Sequence, residues 1–131
     1  MEEFDIAIIG GGPAGIMAAI AASADLNVVL LEKNSSLGSK LLITGGGRCN
    51  ITNEKPIKKL LNSFHDKNFL KHSFYTFTNE MLLDLFRNRG LDFIVEDNNR
   101  VFPETEKSQD ILAILKYYLK AVSYTHLTLP T

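Results

Sequence analysis

The stretch DIAIIGGGPAGIMAAIAA, residues 5–22, decides the fold of this chain. Residues 5–9 are apolar and rich in isoleucine, and they run directly into glycine, as a buried parallel strand does. Pro13 stands where the first turn of a helix tolerates proline, and residues 16–22 are mostly good helix formers. A second apolar strand is predicted over residues 27–31, so the chain is expected to begin as a strand, a glycine turn, a helix and a strand.

The glycines of this turn have the spacing of a dinucleotide-binding loop. Gly10 permits a tight turn, Gly12 lets a pyrophosphate approach the backbone, and Gly15 lets the helix lie close to the sheet. The free amides at the helix start then favour phosphate binding. Glu32 ends the second strand, where its carboxylate can accept hydrogen bonds from a ribose and would repel a 2′-phosphate. The pattern predicts a dinucleotide and disfavours NADP, and it leaves FAD and NAD as alternatives.

A second glycine cluster, TGGGRCNITN, covers residues 44–53. Three successive glycines cost backbone entropy, which favours a site where the main chain approaches a ligand closely. Arg48 adds a fixed cation, and Asn50 and Asn53 add amide groups, so the cluster is a candidate anion-binding nest. A flexible loop with a solvated arginine is the alternative.

Several stretches together resemble the BaiN-like (YhiN-type) FAD-dependent oxidoreductases. They are LEK at residues 31–33, LGSKLL at 37–42, the GGGRCN run at 45–50 and NRVFP at 99–103, and the likeness extends from Asp5 to about Lys120. It implies FAD as the cofactor, with NAD(P)H as a candidate reductant. Asn99 is a departure, since the family usually has glycine there.

The resemblance also implies a set of cofactor-binding residues. The pyrophosphate would lie at Gly10, Gly12, Ala14 and Gly15, the adenosine ribose at Glu32, further adenosine or phosphate contacts at Lys33 and Lys40, and the flavin half at Gly46, Gly47, Arg48, Cys49 and Asn50. It does not carry over a substrate, and no catalytic acid or base is assigned.

Cys49 is the one cysteine of the chain. A disulfide relay of the kind found in flavin-linked reductases, with cysteines separated by four residues, is excluded because position 54 is Glu. The thiol beside Arg48 could have a lowered pKa and be reactive, or it could be a small packing residue, which is the interpretation we favour. No metal site is predicted, because His65 and His72 have no second ligand at a suitable spacing.

The rest of the chain predicts a helical and hairpin insertion. Helical segments are expected over residues 56–77, with Phe69, Phe74 and Phe77 on an apolar stripe in the core. A helix capped by Thr78 or Asn79 should run to Arg89, and residues 93–102 read as a hairpin. A final helix, capped by Ser108, should lead to a third parallel strand.

The last ten residues, VSYTHLTLPT at 122–131, carry no Asp, Glu, Lys or Arg and interrupt an amphipathic helix still running at Lys120. They match one reading frame of a transposase-library sequencing adapter, residue for residue. We therefore expect residues 1–121 to be an incomplete FAD-binding domain with the start of an inserted segment, and residues 122–131 to be translated adapter.

Composition limits the function further. The 131 residues carry 14 Lys and Arg against 15 Asp and Glu, so no basic excess exists to bind a nucleic acid. No apolar run approaches the ~20 residues that cross a bilayer. The start, Met-Glu-Glu, is acidic where a signal peptide is basic. We expect a cytoplasmic protein with a small-molecule substrate and without nucleic-acid or membrane partners.

The fold class expected from these observations is α/β: the N-terminal part of a Rossmann-like FAD-binding domain, with a parallel sheet built on a βαβ unit. The predicted function of the parent protein is that of an FAD-dependent oxidoreductase with no substrate assigned, for which reduction of an unsaturated or keto compound is one candidate reaction. An NAD-binding reductase and a truncated, catalytically inactive fragment are the alternatives.

Overall fold

In the computed structural model, which describes residues 1–120 and 124–128, a three-stranded parallel sheet carries the N-terminal unit. Its strands are β1 (Ile6–Ile9), β2 (Val28–Glu32) and β6 (Tyr124–Thr128), in the order β1-β2-β6. Between β1 and β2 the chain forms helix α1 (Pro13–Ala22), which completes the predicted βαβ unit. The α/β fold class is therefore confirmed.

Between β2 and β6 lies an insertion of short helices and an antiparallel sheet. The sheet has the order β3-β5-β4, with β3 at Thr52–Asn53, β4 at Phe93–Glu96 and β5 at Arg100–Pro103. The helices are α2 (Ile57–Leu61), α3 (Lys67–Thr76), α4 (Asn79–Arg87) and α5 (Ser108–Lys120). Two short 3₁₀ segments, Leu41–Gly47 and Asp97–Asn99, join these elements.

The core lies between the parallel sheet and the helices α1 and α5. Val28 and Leu30 of β2 are fully buried, because β2 is the central strand of the sheet. Ile16 of α1 and Leu119 of α5 are also fully buried and belong to the same cluster. The packing of these two helices thus fixes the positions of the glycine turn and of the end of β2.

Helix α4 differs slightly from its prediction. The Thr78 hydroxyl accepts a hydrogen bond from the Met81 amide at 3.2 Å, as expected of an N-cap. The helix ends at Arg87 rather than Arg89, because residues 88–90 form a tighter closing turn that ends on left-handed Gly90.

Ser108 does not cap α5 as predicted. It is the first residue of the helix and is fully buried, and its hydroxyl donates to the carbonyl of Leu42 at 2.8 Å. A buried hydroxyl needs a partner, and the nearby Leu42 carbonyl supplies one. This hydrogen bond therefore connects the start of α5 to the segment that follows β2.

The predicted core position of the aromatic stripe on α3 is wrong. Helix α3 buries none of its residues, and the Phe69 side chain is 80% exposed. Helix α3 packs mainly on the short helix α2, which is too small to cover the whole apolar stripe of α3. Phe74 is half-buried and contacts Phe64 edge to face, with ring centroids 5.3 Å apart.

Asparagine preserves the hairpin turn at the position where the family usually has glycine. Asn98 and Asn99 have φ angles of 63° and 59°, in the left-handed region. Asparagine is the non-glycine residue that tolerates this region best, along with aspartate. The departure at Asn99 therefore leaves the predicted hairpin of β4 and β5 intact.

Strand β6 pairs in parallel with β2, with Leu30 opposite His126. It occupies the place expected for a third parallel strand, and its residues belong to the segment at 122–131 that matches an adapter reading frame. Residues 121–123 and 129–131, on either side of β6, lie outside the described residues. Within the described ranges, no helix has both the length and the apolar character needed to cross a membrane.

Candidate dinucleotide-binding site

The first glycine loop forms a tight turn between β1 and α1. The Gly10 amide donates to the Leu31 carbonyl at 2.7 Å, and Gly10 has a φ of 102°, which only glycine adopts readily. At Gly15, an added Cβ would lie 1.8 Å from the Gly10 carbonyl oxygen. The backbone of α1 therefore lies so close to the end of β1 that no side chain fits between them at Gly15.

Gly12 borders open space instead. It is the N-cap residue of α1 with an extended backbone, φ −79° and ψ −178°, and an added Cβ there would meet nothing within 4 Å. No side chain caps this helix start. Its first amides, together with the positive end of the helix dipole, thus face a region that a phosphate group could enter.

Glu32 is held in place by backbone amides. Its Oε2 accepts from the Gly11 amide at 2.7 Å and its Oε1 from the Asn34 amide at 2.9 Å. These donors, first Asn34 and then Gly11, lower the pKa of the carboxyl below its ordinary value. Each carboxylate oxygen can accept a second hydrogen bond, so the ionised group remains able to bind a hydroxyl.

Sequence reasoning missed two glycines that shape this site. Gly11 brings its amide to Glu32, and an added Cβ there would lie 2.4 Å from a methyl group of Leu37. Gly38 donates its amide to the Gly11 carbonyl at 2.8 Å and has a φ of 73°. The signal for Gly11 was its place between two glycines already assigned to the loop.

Five of the predicted residues line one cleft of about 320 Å³: Gly10, Gly12, Glu32, Lys33 and Lys40. Gly38 and Ser39, which were not predicted, complete its wall. The cleft thus brings together the carboxylate, the helix start and two exposed lysines, although these residues come from three separate segments. That combination of an acid and backbone amides fits a ribose next to a phosphate.

A second, mostly apolar groove of about 310 Å³ adjoins the first. Cys49 and Asn50 line it, together with Pro13 at the start of α1, and Lys40 borders both clefts. The two clefts therefore follow one another from Glu32 across the helix start to the second glycine cluster. In the described part of the chain, the predicted residues that line neither of these two clefts are Ala14, Gly15, Gly46, Gly47 and Arg48.

The second glycine cluster has an unusual backbone. Gly45, Gly46 and Gly47 have φ angles of 56°, 67° and 86°, and Cys49 follows with 63°. The Cys49 amide donates to the Thr44 carbonyl at 3.0 Å, which closes the turn. Three glycines suit this position because the loop runs through the left-handed region at each of them.

Arg48 is paired with carboxylates. Its guanidinium donates to both oxygens of Glu96, at 2.6 and 3.3 Å, and to Glu106 at 3.1 Å. It also lies 4.0 Å from the centroid of the Phe102 ring. These hydrogen bonds raise the pKa of Arg48 and lower the pKa of Glu96. A freely solvated arginine, one part of the alternative interpretation, does not describe this arrangement.

Cys49 is buried, with 5% of its surface exposed, and burial raises the pKa of its thiol. Both observations favour the interpretation of Cys49 as a packing residue. With its amide nitrogen oriented toward β5, Asn50 donates to the carbonyls of Thr52 and Val101 at 2.9 and 3.2 Å. The Asn50 side chain thus binds the loop to the antiparallel sheet.

Comparison with known proteins gives a family match. The model of the HI0933-like protein Rossmann domain matches residues 4–128. The chain is 35% identical over 118 residues to the 3-dehydro-bile acid delta(4,6)-reductase of Clostridium scindens. It is 34% identical over 118 residues to the ribosomal RNA dihydrouridine synthase of Escherichia coli. Each alignment covers 88% of this chain and 28% of the relative, so the chain spans less than a third of their length.

Among solved structures, the fold is similar to Thermovibrio ammonificans THI4. The TM-score is 0.61 at 16% identity, covering 95% of this chain and 38% of that one. At this identity the likeness concerns the fold alone, and it agrees with the parallel sheet described above.

Proposed function

The chain belongs to the HI0933-like protein family, and from this premise we propose that it forms the FAD-binding part of an oxidoreductase. The membership confirms the family resemblance predicted from the glycine-arginine-cysteine-asparagine run. One observation carries the proposal: the Glu32 carboxylate and the open backbone of Gly12 border the same cleft. When bound, FAD would supply the capacity to accept and donate a hydride or single electrons.

The residues present fit this cofactor. Gly10, Gly12, Ala14 and Gly15 build the turn and helix start proposed to hold the pyrophosphate, and Glu32 would accept hydrogen bonds from the adenosine ribose. Lys33 and Lys40 would add charge near the phosphates. The groove beyond Lys40, lined by Cys49 and Asn50, is proposed to receive the flavin half, with Gly46, Gly47 and Arg48 in the loop behind it.

The reaction proposed for the parent protein is reduction of a carbon–carbon double bond. The names of the two relatives support this proposal, since a delta(4,6)-reductase and a dihydrouridine synthase are both named for the reduction of a double bond. NAD(P)H is the proposed source of the hydride. A small molecule is the proposed substrate, and the steroid-like class is supported by the bile acid reductase.

We also propose that the chain by itself is catalytically inactive. It spans 28% of the length of each of these relatives. The substrate-binding part of the parent would then lie in sequence outside this chain.

The proposed domain organisation is an incomplete FAD-binding domain at residues 1–121, followed by translated adapter at 122–131. Pairing of β6 with β2 is compatible with a native or a foreign segment, because an open strand edge can pair with a β-prone segment of either origin, and the family match, which runs to residue 128, includes β6. Genomic sequencing beyond the codon for Ala121 is the test. A genome that itself encodes residues 122–131 would overturn the adapter proposal.

The test of cofactor binding is a titration of the purified 131-residue chain with each nucleotide, monitored by flavin fluorescence for FAD and by nicotinamide fluorescence for NADH and NADPH. We expect saturable binding of FAD and much weaker binding of NADH. A colourless protein that binds NADH and ignores FAD would favour the alternative of an NAD-dependent reductase. The same titration with NADPH should show no gain, since Glu32 would repel the 2′-phosphate.

A further inference from the structure

Two distant stretches of the sequence meet at Arg48. One is the glycine cluster at 45–50, and the other is the RVFP stretch that forms β5 with its preceding hairpin strand β4. The Arg48 guanidinium reaches Glu96 at the end of β4, Glu106 beyond β5, and the ring of Phe102 in β5. Two motifs some fifty positions apart are thus joined through one side chain.

Both terminal nitrogens of Arg48 are already engaged with carboxylates in this arrangement. Its planar fork lies along both oxygens of Glu96, and one nitrogen also donates to Glu106. Its face is stacked on Phe102 at 4.0 Å. Because its terminal nitrogens are hydrogen-bonded to Glu96 and Glu106 and its face lies on Phe102, this group is a poor ligand for a phosphate.

The loop beside Arg48 needs such an anchor. Gly45, Gly46 and Gly47 are all in the left-handed region, and fixing three glycines costs more conformational entropy than fixing any other three residues. An added Cβ at Gly45 would lie 3.0 Å from the Phe102 ring, so the loop rests on the same aromatic side chain. The Ile51 amide adds a hydrogen bond to the Val101 carbonyl at 3.0 Å.

We infer that Arg48 is a positioning residue: its contacts with Glu96, Glu106 and Phe102 hold the Gly45–Gly47 turn in place, and with it the neighbouring Cys49 and Asn50, which line the groove proposed to receive the flavin half. Arg48 does not itself bind the cofactor's phosphates. The part that concerns the cofactor rests on the proposed function, and the ordering of the loop does not.

The two possible roles of Arg48 predict opposite effects of a change at Glu96. If Arg48 positions the loop, Arg48→Met and Glu96→Gln should both weaken FAD binding, by about tenfold, because each breaks the same contact. If Arg48 were a phosphate ligand, Glu96→Gln would free the cation and leave FAD binding equal or tighter. Arg48→Lys should not restore binding, since an ammonium group cannot form the bidentate pair.

Arg100→Gln is the matched control. Arg100 also approaches Glu96, at 3.6 Å, and lies farther from the Phe102 ring, at 5.6 Å. Its removal changes the net charge as Arg48→Met does and leaves the Arg48 contacts in place. We expect FAD affinity within twofold of the wild type; a tenfold loss would show that charge near Glu96, rather than the Arg48 contact, governs binding.

Amide hydrogen exchange without FAD separates the two proposals. Exchange across residues 44–50 should accelerate in Arg48→Met and Glu96→Gln and stay unchanged in Arg100→Gln. Should the wild-type chain fail to bind FAD while this pattern holds, the proposal that this chain binds FAD by itself falls and the anchoring role of Arg48 stands. Unchanged exchange in Arg48→Met would overturn the anchoring role whatever the FAD titration shows.

Discussion

Gly15→Ala should lower the stability of the chain, whereas Gly12→Ala should leave stability nearly unchanged and weaken cofactor binding, although both replace a glycine of the same turn with the same side chain. At Gly15 the new methyl group would lie 1.8 Å from the backbone oxygen of Gly10, about 1.5 Å short of ordinary contact. At Gly12 it would meet nothing within 4 Å, and the extended backbone there suits alanine. The pair thus separates a packing role from a binding role.

The cost at Gly15 follows from that distance. Overpacking against a backbone atom, which cannot rotate away, is expected at the upper end of its usual range, about 3 kcal/mol. Alanine regains about 1 kcal/mol over glycine inside helix α1. The net loss of about 2 kcal/mol corresponds to a decrease in Tm of about 8 °C for a chain of this size. At Gly12 the change in Tm should stay within about 2 °C, because the small cap and chain-entropy effects oppose each other.

The measurement is thermal unfolding followed by circular dichroism, combined with a titration of FAD for each variant. Gly12→Ala should keep its Tm and lose at least tenfold in FAD affinity, since its methyl group would project into the space proposed for the pyrophosphate. Equal stability of Gly15→Ala and the wild type would refute the close approach of α1 to β1. Normal FAD affinity of Gly12→Ala would refute the assignment of this cleft.

Three further predictions concern charge, packing and reactivity. Because the pKa of Glu32 is lowered in the folded chain, its ionised carboxylate stabilises the fold at pH values above the ordinary pKa of glutamate, and this stabilisation is lost as the pH falls through the folded pKa. Between about pH 7 and pH 3, the urea midpoint should therefore fall less in Glu32→Gln than in the wild type or in the exposed control Glu104→Gln. Phe86 is 1% exposed and contacts a second ring edge to face, so Phe86→Ala should lower the free energy of unfolding by about 3–5 kcal/mol. Phe69 is 80% exposed, so Phe69→Ala should change the urea midpoint little. Cys49 should react with a disulfide reagent at neutral pH far more slowly in the native chain than in urea, and equal rates would contradict its burial.

The N-terminal unit was predictable because its signals are local. A strand ending on glycine, a helix opening with proline and an acid at the end of the next strand each depend on neighbours within a few residues, and the structure has them at the expected places. The hairpin and helices of the insertion were predicted for the same reason. Where local pattern and burial disagree, as for the exposed stripe of α3 and the buried Ser108, the prediction was wrong.

The family and the α/β fold could be determined from the sequence alone, since the residues of each motif are contiguous and their backbone requirements are carried by glycine, proline and β-branched side chains. The partners of Arg48 and Glu32 could not. Glu96 and Glu106 lie 48 and 58 positions from Arg48, and the Gly11 amide lies 21 positions from Glu32. Such contacts arise only when the packing of β2, the glycine loop and the hairpin brings separate segments within hydrogen-bond distance, and only the tertiary structure decides whether a cation faces a carboxylate or an open cleft.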